Sequence, residues 1–245
     1  MKDSSHSLCP SLMSVMETKV DPRGHGEPQG GIDGERKRLT IFSRASGLVF
    51  WLICSGVWGQ DASSEWATKL VEVALAQTRE VVRYEPAYVR IPYPGGDVPA
   101  GTGVCTDVVI RAYRKAFQFD LQKAVHEDMK ANFSKYPKNW GLSRTDTNID
   151  HRRVPNLQTF FKRKGAALPV TDKPEDYLPG DLITCTVAGR LPHIAIVVPA
   201  PDGGKVPWIV HNIGQGPKRE NRLFEFPLTG HYRFLGPLEA LDSGR

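Results

Sequence analysis

The apolar residues of this chain change their period once, and that change restricts the fold more than any other feature. Between about residues 63 and 165 they recur every three to four positions; after about residue 180 they alternate. The stretch SSEWATKLVEVALAQTREVVRY predicts a helix capped by Ser63 or Ser64, with Trp66, Leu70, Val73, Ala74 and Val81 on one face. A second helix is predicted over 103–118, with Val104, Val108, Ala112 and Phe117 inward and Val109, Tyr113 and Ala116 broadening that face. Leu121, Val125, Met129 and Phe133 predict a third helix, and PNLQTFFKRKG a short fourth stopped by Gly165. DLITCTV, PHIAIVV, PWIVHNI and the tail YRFLG then read as strands bounded by Pro and Gly. Helices first and strands second predict an α+β fold, with N-terminal helices packed on a C-terminal antiparallel β-sheet.

The first 59 residues stand outside that pattern. Residues 1–35 are polar and rich in Gly, Pro and Ser, and read as a disordered extension. Over 36–59, Arg36, Lys37, Arg38 and Arg44 precede an apolar run at 45–57 that ends in small residues. This is the three-part pattern of a secretory signal, with cleavage before Gln60. An uncleaved anchor is the alternative, although about 13 residues fall short of the roughly 17 to 25 that a span needs. The expected mature domain is 60–245, exported to a periplasm or the medium, with no stable membrane insertion once the signal is gone.

The formal net charge of +5 is a mild excess without a basic stripe, so no nucleic-acid partner is expected. Four cysteines at 9, 54, 105 and 185, with no C-x-x-C pair, fit neither a disulfide scaffold nor a zinc cluster. Loss of the leader leaves Cys105 and Cys185, which are either free or paired with each other.

Cys105 lies in GTGVCTDVV, where a glycine-bearing loop enters the second helix. At a helix N-terminus the unpaired N–H groups and the dipole favour a thiolate. The backbone N–H of Cys105 is also placed to meet a developing oxyanion. The competing account makes Cys105 a small core residue. A base is available downstream. His193 opens the strand whose residues Ile194, Ile196 and Val198 alternate with Ala195 and Val197, and His211 closes the next strand. The two strands should pair as a hairpin through PAPDGGK, stacking one imidazole so that it orients the other. Each histidine alone is equally a strand-end residue bonded to backbone.

The order of a cysteine at a helix start, Pro-Gly-Asp before a strand, then a histidine on each of two following strands resembles the NlpC-type cell-wall cysteine peptidases of the papain-like superfamily. The fuller set YPGGDVP, CTDVV, DTNIDHRRVPNL, LPHIAIV, VHNIGQG and TGHYRF resembles, more narrowly, a bacterial family described as domain of unknown function 1287, over roughly residues 66–236. The resemblance implies a papain-like fold, Cys105 as nucleophile, His193 as general base and His211 as the residue that orients it. It implies Tyr93 as the upstream tyrosine near the oxyanion site, with Tyr84 and Tyr88 close by in sequence. It further implies peptidoglycan-type peptide amides as substrate and requires no metal or organic cofactor. A non-catalytic wall-binding module and a thioester-forming acyl transferase remain open on the same fold. The chain departs from the peptidase pattern in Val104 and Thr106, where Asp and Ser usually flank the cysteine.

Arg152 and Arg153 carry guanidinium forks suited to a substrate carboxylate, and Asn212 beside His211 joins them as a substrate-binding candidate. The other account of DTNIDHRRVPNL is a polar loop held by its own Asn and Asp bonds. As a calcium loop it fails, with His151 at the sixth position and Leu157 at the twelfth. QGPKRENR reads as a solvated turn.

Overall fold

The computed structural model describes residues 55–236, with side chains from residue 63 onward. Residues 1–54, which hold the expected extension and nearly all of the expected leader, lie outside the described residues. Four α-helices come first: α1 (Ser55–Gln77), α2 (Cys105–Phe117), α3 (Leu121–Ala131) and α4 (Val154–Arg163). Between α1 and α2, β1 (Arg83–Tyr84) and β2 (Thr102–Gly103) form a short parallel bridge. Six strands follow: β3 (Ala167–Leu168), β4 (Leu182–Val187), β5 (Leu191–Val198), β6 (Trp208–His211), β7 (Lys218–Glu220) and β8 (Leu228–Tyr232). They form one sheet in the order β3-β8-β4-β5-β6-β7, every neighbouring pair antiparallel. The α+β expectation therefore holds. Among the described residues no helix is long and apolar enough to cross a membrane.

The sheet is covered on both faces. Leu182, Ile194, Ile196, Val198, Val210 and Tyr232 pack against Trp66, Leu70, Val108, Val109, Leu157 and Phe161 of the helices. On the opposite face Ile183, Cys185, Ala195, Val197 and Ile209 lie under Tyr177 and Leu223. The alternation along β5 thus divides two apolar layers, and each fully buried aliphatic side chain contributes roughly 1.5–3 kcal/mol.

Several boundaries depart from expectation. Helix α3 ends at Ala131, and Phe133 falls in a separate 3-10 turn after it. Helix α1 begins at Ser55, not at Ser63 or Ser64, and its backbone runs on through Gln60. It ends at Gln77, because Arg83 leaves the helix path to donate its N–H to the Gly101 carbonyl at 2.8 Å; Val81 is consequently 95% exposed and off the apolar face. The last strand is Leu228–Tyr232, which contains only the first residue of YRFLG. Its alternation is hidden by His231, a polar residue buried because Asp181 accepts from it at 2.8 Å. The supposed turn QGPKRENR contains β7, whose polar side chains suit the sheet edge it occupies.

Candidate functional site

The entry to α2 is held from several sides. Gly103, with φ +158°, is closely covered: a Cβ there would lie 3.1 Å from the Arg111 guanidinium and 3.2 Å from Asp107, so those side chains would have to give way by a few tenths of an ångström. Asp107, three residues beyond the N-cap Val104, reaches back to accept the Val104 N–H at 2.7 Å. The same carboxylate takes a two-pronged bond from Arg152, at 2.9 and 3.0 Å, with both side chains buried. Thr106 donates its hydroxyl to the Arg152 carbonyl at 3.2 Å. These contacts tie the first turn of α2 to the loop before α4.

Cys105 is free and buried, with 5% exposure. Burial is the largest influence on its thiol and pushes it up to about 12. The N–H groups of Ile194 and Thr106 pull the other way, while the charge of Asp107 and the neighbouring Cys185 add to the rise. The thiolate expected at a helix N-terminus is therefore overruled by desolvation, and the resting group is a neutral thiol. Ile194 is the residue after His193 on β5, just beyond the point where the β5–β6 register ends at Ile196 opposite Val210. Cys185 is also free and buried, burial raising it to about 11, and it stands directly across β4–β5 from His193. The two cysteines do not form a disulfide in this structure.

His193 and His211 meet as the hairpin register demands. His193 Nε2 lies 2.9 Å from His211 Nδ1, the rings edge-on at 80°, and both are buried. Sequence reasoning missed the next member. His211 Nε2 lies 2.8 Å from a carboxylate oxygen of Glu220 on β7. Burial and then His211 push His193 down to about 3; burial also lowers His211, with Glu220 opposing. Two neutral imidazoles beside a carboxylate have one consistent proton arrangement. Glu220 only accepts, so His211 carries its proton on Nε2 and accepts at Nδ1. His193 must then donate from Nε2, which leaves its Nδ1 with a bare lone pair.

The remaining candidates separate. Tyr93 packs edge-on against His126 of α3 at 5.0 Å. Tyr84 is the tyrosine tied to the approach to α2: its register partner is Gly103, and its hydroxyl is raised by burial and then by Cys105 and Asp107, with Arg152 opposing. The signal available in sequence was its place just before the extended segment that meets the GTG loop. Arg152 is committed to Asp107 and clamps α2, so it is not free to hold a substrate. Asn212, fully buried, donates to the Gly103 carbonyl at 3.2 Å and accepts from Gly214 and Gly216, both at 3.1 Å. It shapes a loop and offers no face to a ligand. Arg153 stacks its guanidinium over Trp140, 4.1 Å from the ring centroid. The acidic part of the loop behaves as the self-bonded account expects, Asn148 N–H donating to Asp146 at 2.9 Å and Asp146 N–H to Asp150 at 2.6 Å. Asp181 of the Pro-Gly-Asp turn serves elsewhere, accepting from His231 at 2.8 Å and from Arg233 at 2.7 and 2.9 Å. Among the described residues no group of three or more His, Cys, Asp or Glu is placed to hold a metal ion.

The arrangement offers a thiol at a helix start, an imidazole with an open nitrogen one residue along the adjoining strand, and a relay ending in a carboxylate. Comparison with known proteins places this geometry in a lineage without assigning it an activity. The chain is 47% identical over 166 residues to the Escherichia coli (strain K12) protein described as uncharacterized protein YijF, covering 68% of this chain and 80% of that one. Residues 71–234, which include every element from the end of α1 through β8, match the family described as domain of unknown function (DUF1287), and the chain belongs to that family.

Proposed function

We propose that the protein is an exported cysteine hydrolase of papain-like, NlpC-type fold that cleaves amide bonds in peptidoglycan stem peptides. The observation that supports the reading is the His193–His211–Glu220 relay, whose proton arrangement leaves His193 Nδ1 bare at the strand position next to Ile194, whose backbone N–H lowers the Cys105 thiol.

With a thiol raised to about 12 and an imidazole lowered to about 3, the resting pair is neutral. The base therefore acts during attack, not before it. As the sulfur–carbon bond forms, the thiol proton passes to His193 Nδ1. The Cys105 N–H and the Tyr84 hydroxyl are the donors available to the oxyanion. His193 then protonates the departing amine as the carbon–nitrogen bond breaks, leaving a thioester. Water attacks, gives a proton to the same nitrogen, and the carbon–sulfur bond breaks with that proton returned to sulfur.

Purified stem peptides incubated with the wild type should yield a new amine and a new carboxylic acid by mass spectrometry, and Cys105→Ala should yield neither. Equal products from both proteins, or none from the wild type, would overturn the hydrolase reading. The burial of the thiol favours a second reading, a wall-binding module without turnover. Tight stem-peptide binding with no product from the wild type would select it.

A further inference from the structure

We propose that Asn212 is a positioning residue: its side chain fixes the loop that leads into Cys105, and the strand of Tyr84 with it, relative to the strand of His211. This rests on the hydrolase reading above and goes beyond it by naming the group that holds the two halves of the site in register. Asn212 follows His211 at the end of β6 and is fully buried. Its amide has three partners, and their chemistry orients it one way only. The N–H groups of Gly214 and Gly216 donate to Oδ1, both at 3.1 Å, and Nδ2 donates to the Gly103 carbonyl at 3.2 Å. A flipped amide would set its NH2 against two donors and its oxygen against a carbonyl.

The partners lead to different parts of the site. Gly103 stands two residues before Cys105 and is the register partner of Tyr84. Its carbonyl also accepts from the Glu85 N–H at 3.3 Å, so Asn212 and the tyrosine strand share one oxygen. Gly216 turns at φ +82° and presses on the same stretch of chain: a Cβ there would lie 3.0 Å from the Val82 carbonyl oxygen. Arg83, next to Val82, donates to the Gly101 carbonyl at 2.8 Å. The contacts close a ring, from Asn212 to Gly103, back to Gly101, across to Arg83 and Val82, and through Gly216 to Asn212 again. Among the described residues no other side-chain hydrogen bond joins residues 101–105 to residues 211–217. Loss of this amide therefore frees the thiol loop and the tyrosine strand from the histidine strand together, and a displacement of about 1 Å costs a reaction about 10²-fold.

The experiment uses the full chain, stem-peptide hydrolysis and amide hydrogen exchange followed by NMR. Asn212→Asp keeps an acceptor for both glycines and removes the donor to Gly103; Asn212→Ala removes both. Each should lower kcat about 10²-fold while KM stays within about twofold. Val125→Ala, a cavity in the core at α3, supplies a comparable loss of stability and should keep kcat within about twofold. Exchange reads the ring without turnover. Asn212→Ala should speed the Arg83, Glu85, Gly214 and Gly216 amides about tenfold, and Asn212→Asp only the first two, with the amides of β4 and β8 unchanged. Wild-type kcat in either Asn212 variant, an equal loss in Val125→Ala, or unchanged exchange at Arg83 and Glu85 overturns the proposal. A wild type that cleaves nothing, with exchange as expected, removes the hydrolase reading and retains Asn212 as the tie between the two segments. No cleavage and no change in exchange removes both.

Discussion

A neutral imidazole accepts a proton only at the nitrogen that its other hydrogen bond leaves bare, and here that choice is made two residues away. Glu220 fixes His211, and His211 fixes His193. Replacing His193 by Gln should slow Cys105 turnover or alkylation by about 10²–10⁴-fold, the ordinary worth of a positioned base. Glu220→Ala should cost about tenfold, one bond to a charged group, with Glu220→Gln recovering part of it. The pH profile separates general-base action from a preformed ion pair. With His193 lowered to about 3 and Cys105 raised to about 12, alkylation by iodoacetamide should show no titration near 6.5 and no thiolate plateau below about 8.5. A plateau near pH 6 would mean the sulfur is ionised at rest. Cys105, His193 and His211 were legible in sequence because residue type and position coincide. Glu220 was not, because a carboxylate in a polar run reads as solvated until a strand partner is known. Tyr84 was passed over for Tyr93 because proximity to Cys105 depends on a parallel bridge that two residues of sequence cannot announce.

At the scale of elements, the position of Cys105 depends on a clamp between α2 and the loop ahead of α4. Removing one partner of a buried pair leaves the other charged and unsolvated. Asp107→Ala should therefore destabilise the protein by about 3–5 kcal/mol in urea unfolding, since it also strips the Val104 N–H of its acceptor. The double variant Asp107→Leu with Arg152→Met should recover much of that loss. If the single variant costs under about 1 kcal/mol, the pair is not a clamp. Helix positions were legible because four apolar stripes of the right period are hard to imitate. Their ends were less so: α1 and β8 depart from expectation where a polar side chain or a backbone bond to a distant loop decides the boundary. Arg152 shows the same limit. A fork suited to a substrate and a fork suited to a buried aspartate look alike in a string of letters.

For the whole molecule, the neutral imidazoles set the response to acid. His193 is held down to about 3 and His151 to about 4, both by burial. The unfolded chain binds those protons below about 6.5 and the folded chain does not, so stability present above pH 6.5 is lost as pH falls toward 3. Asp150, raised by burial to about 6, acts in the opposite sense between its free value near 3.8 and 6. It roughly offsets His151 and leaves His193 uncompensated. Thermal midpoints should fall steadily from pH 6.5 to 4, and His193→Gln should flatten that slope. A midpoint that rises on acidification would show that the buried carboxyl dominates.

Strand β7 is the outer edge of the sheet, and the Glu220 side chain is 25% exposed there. The buried pair of rings is thus linked through Glu220 to the solvent-facing edge of the sheet. Deuterium on the inner ring nitrogens should accordingly wash out far sooner than on the amides of β5, whose two neighbours seal it on either side.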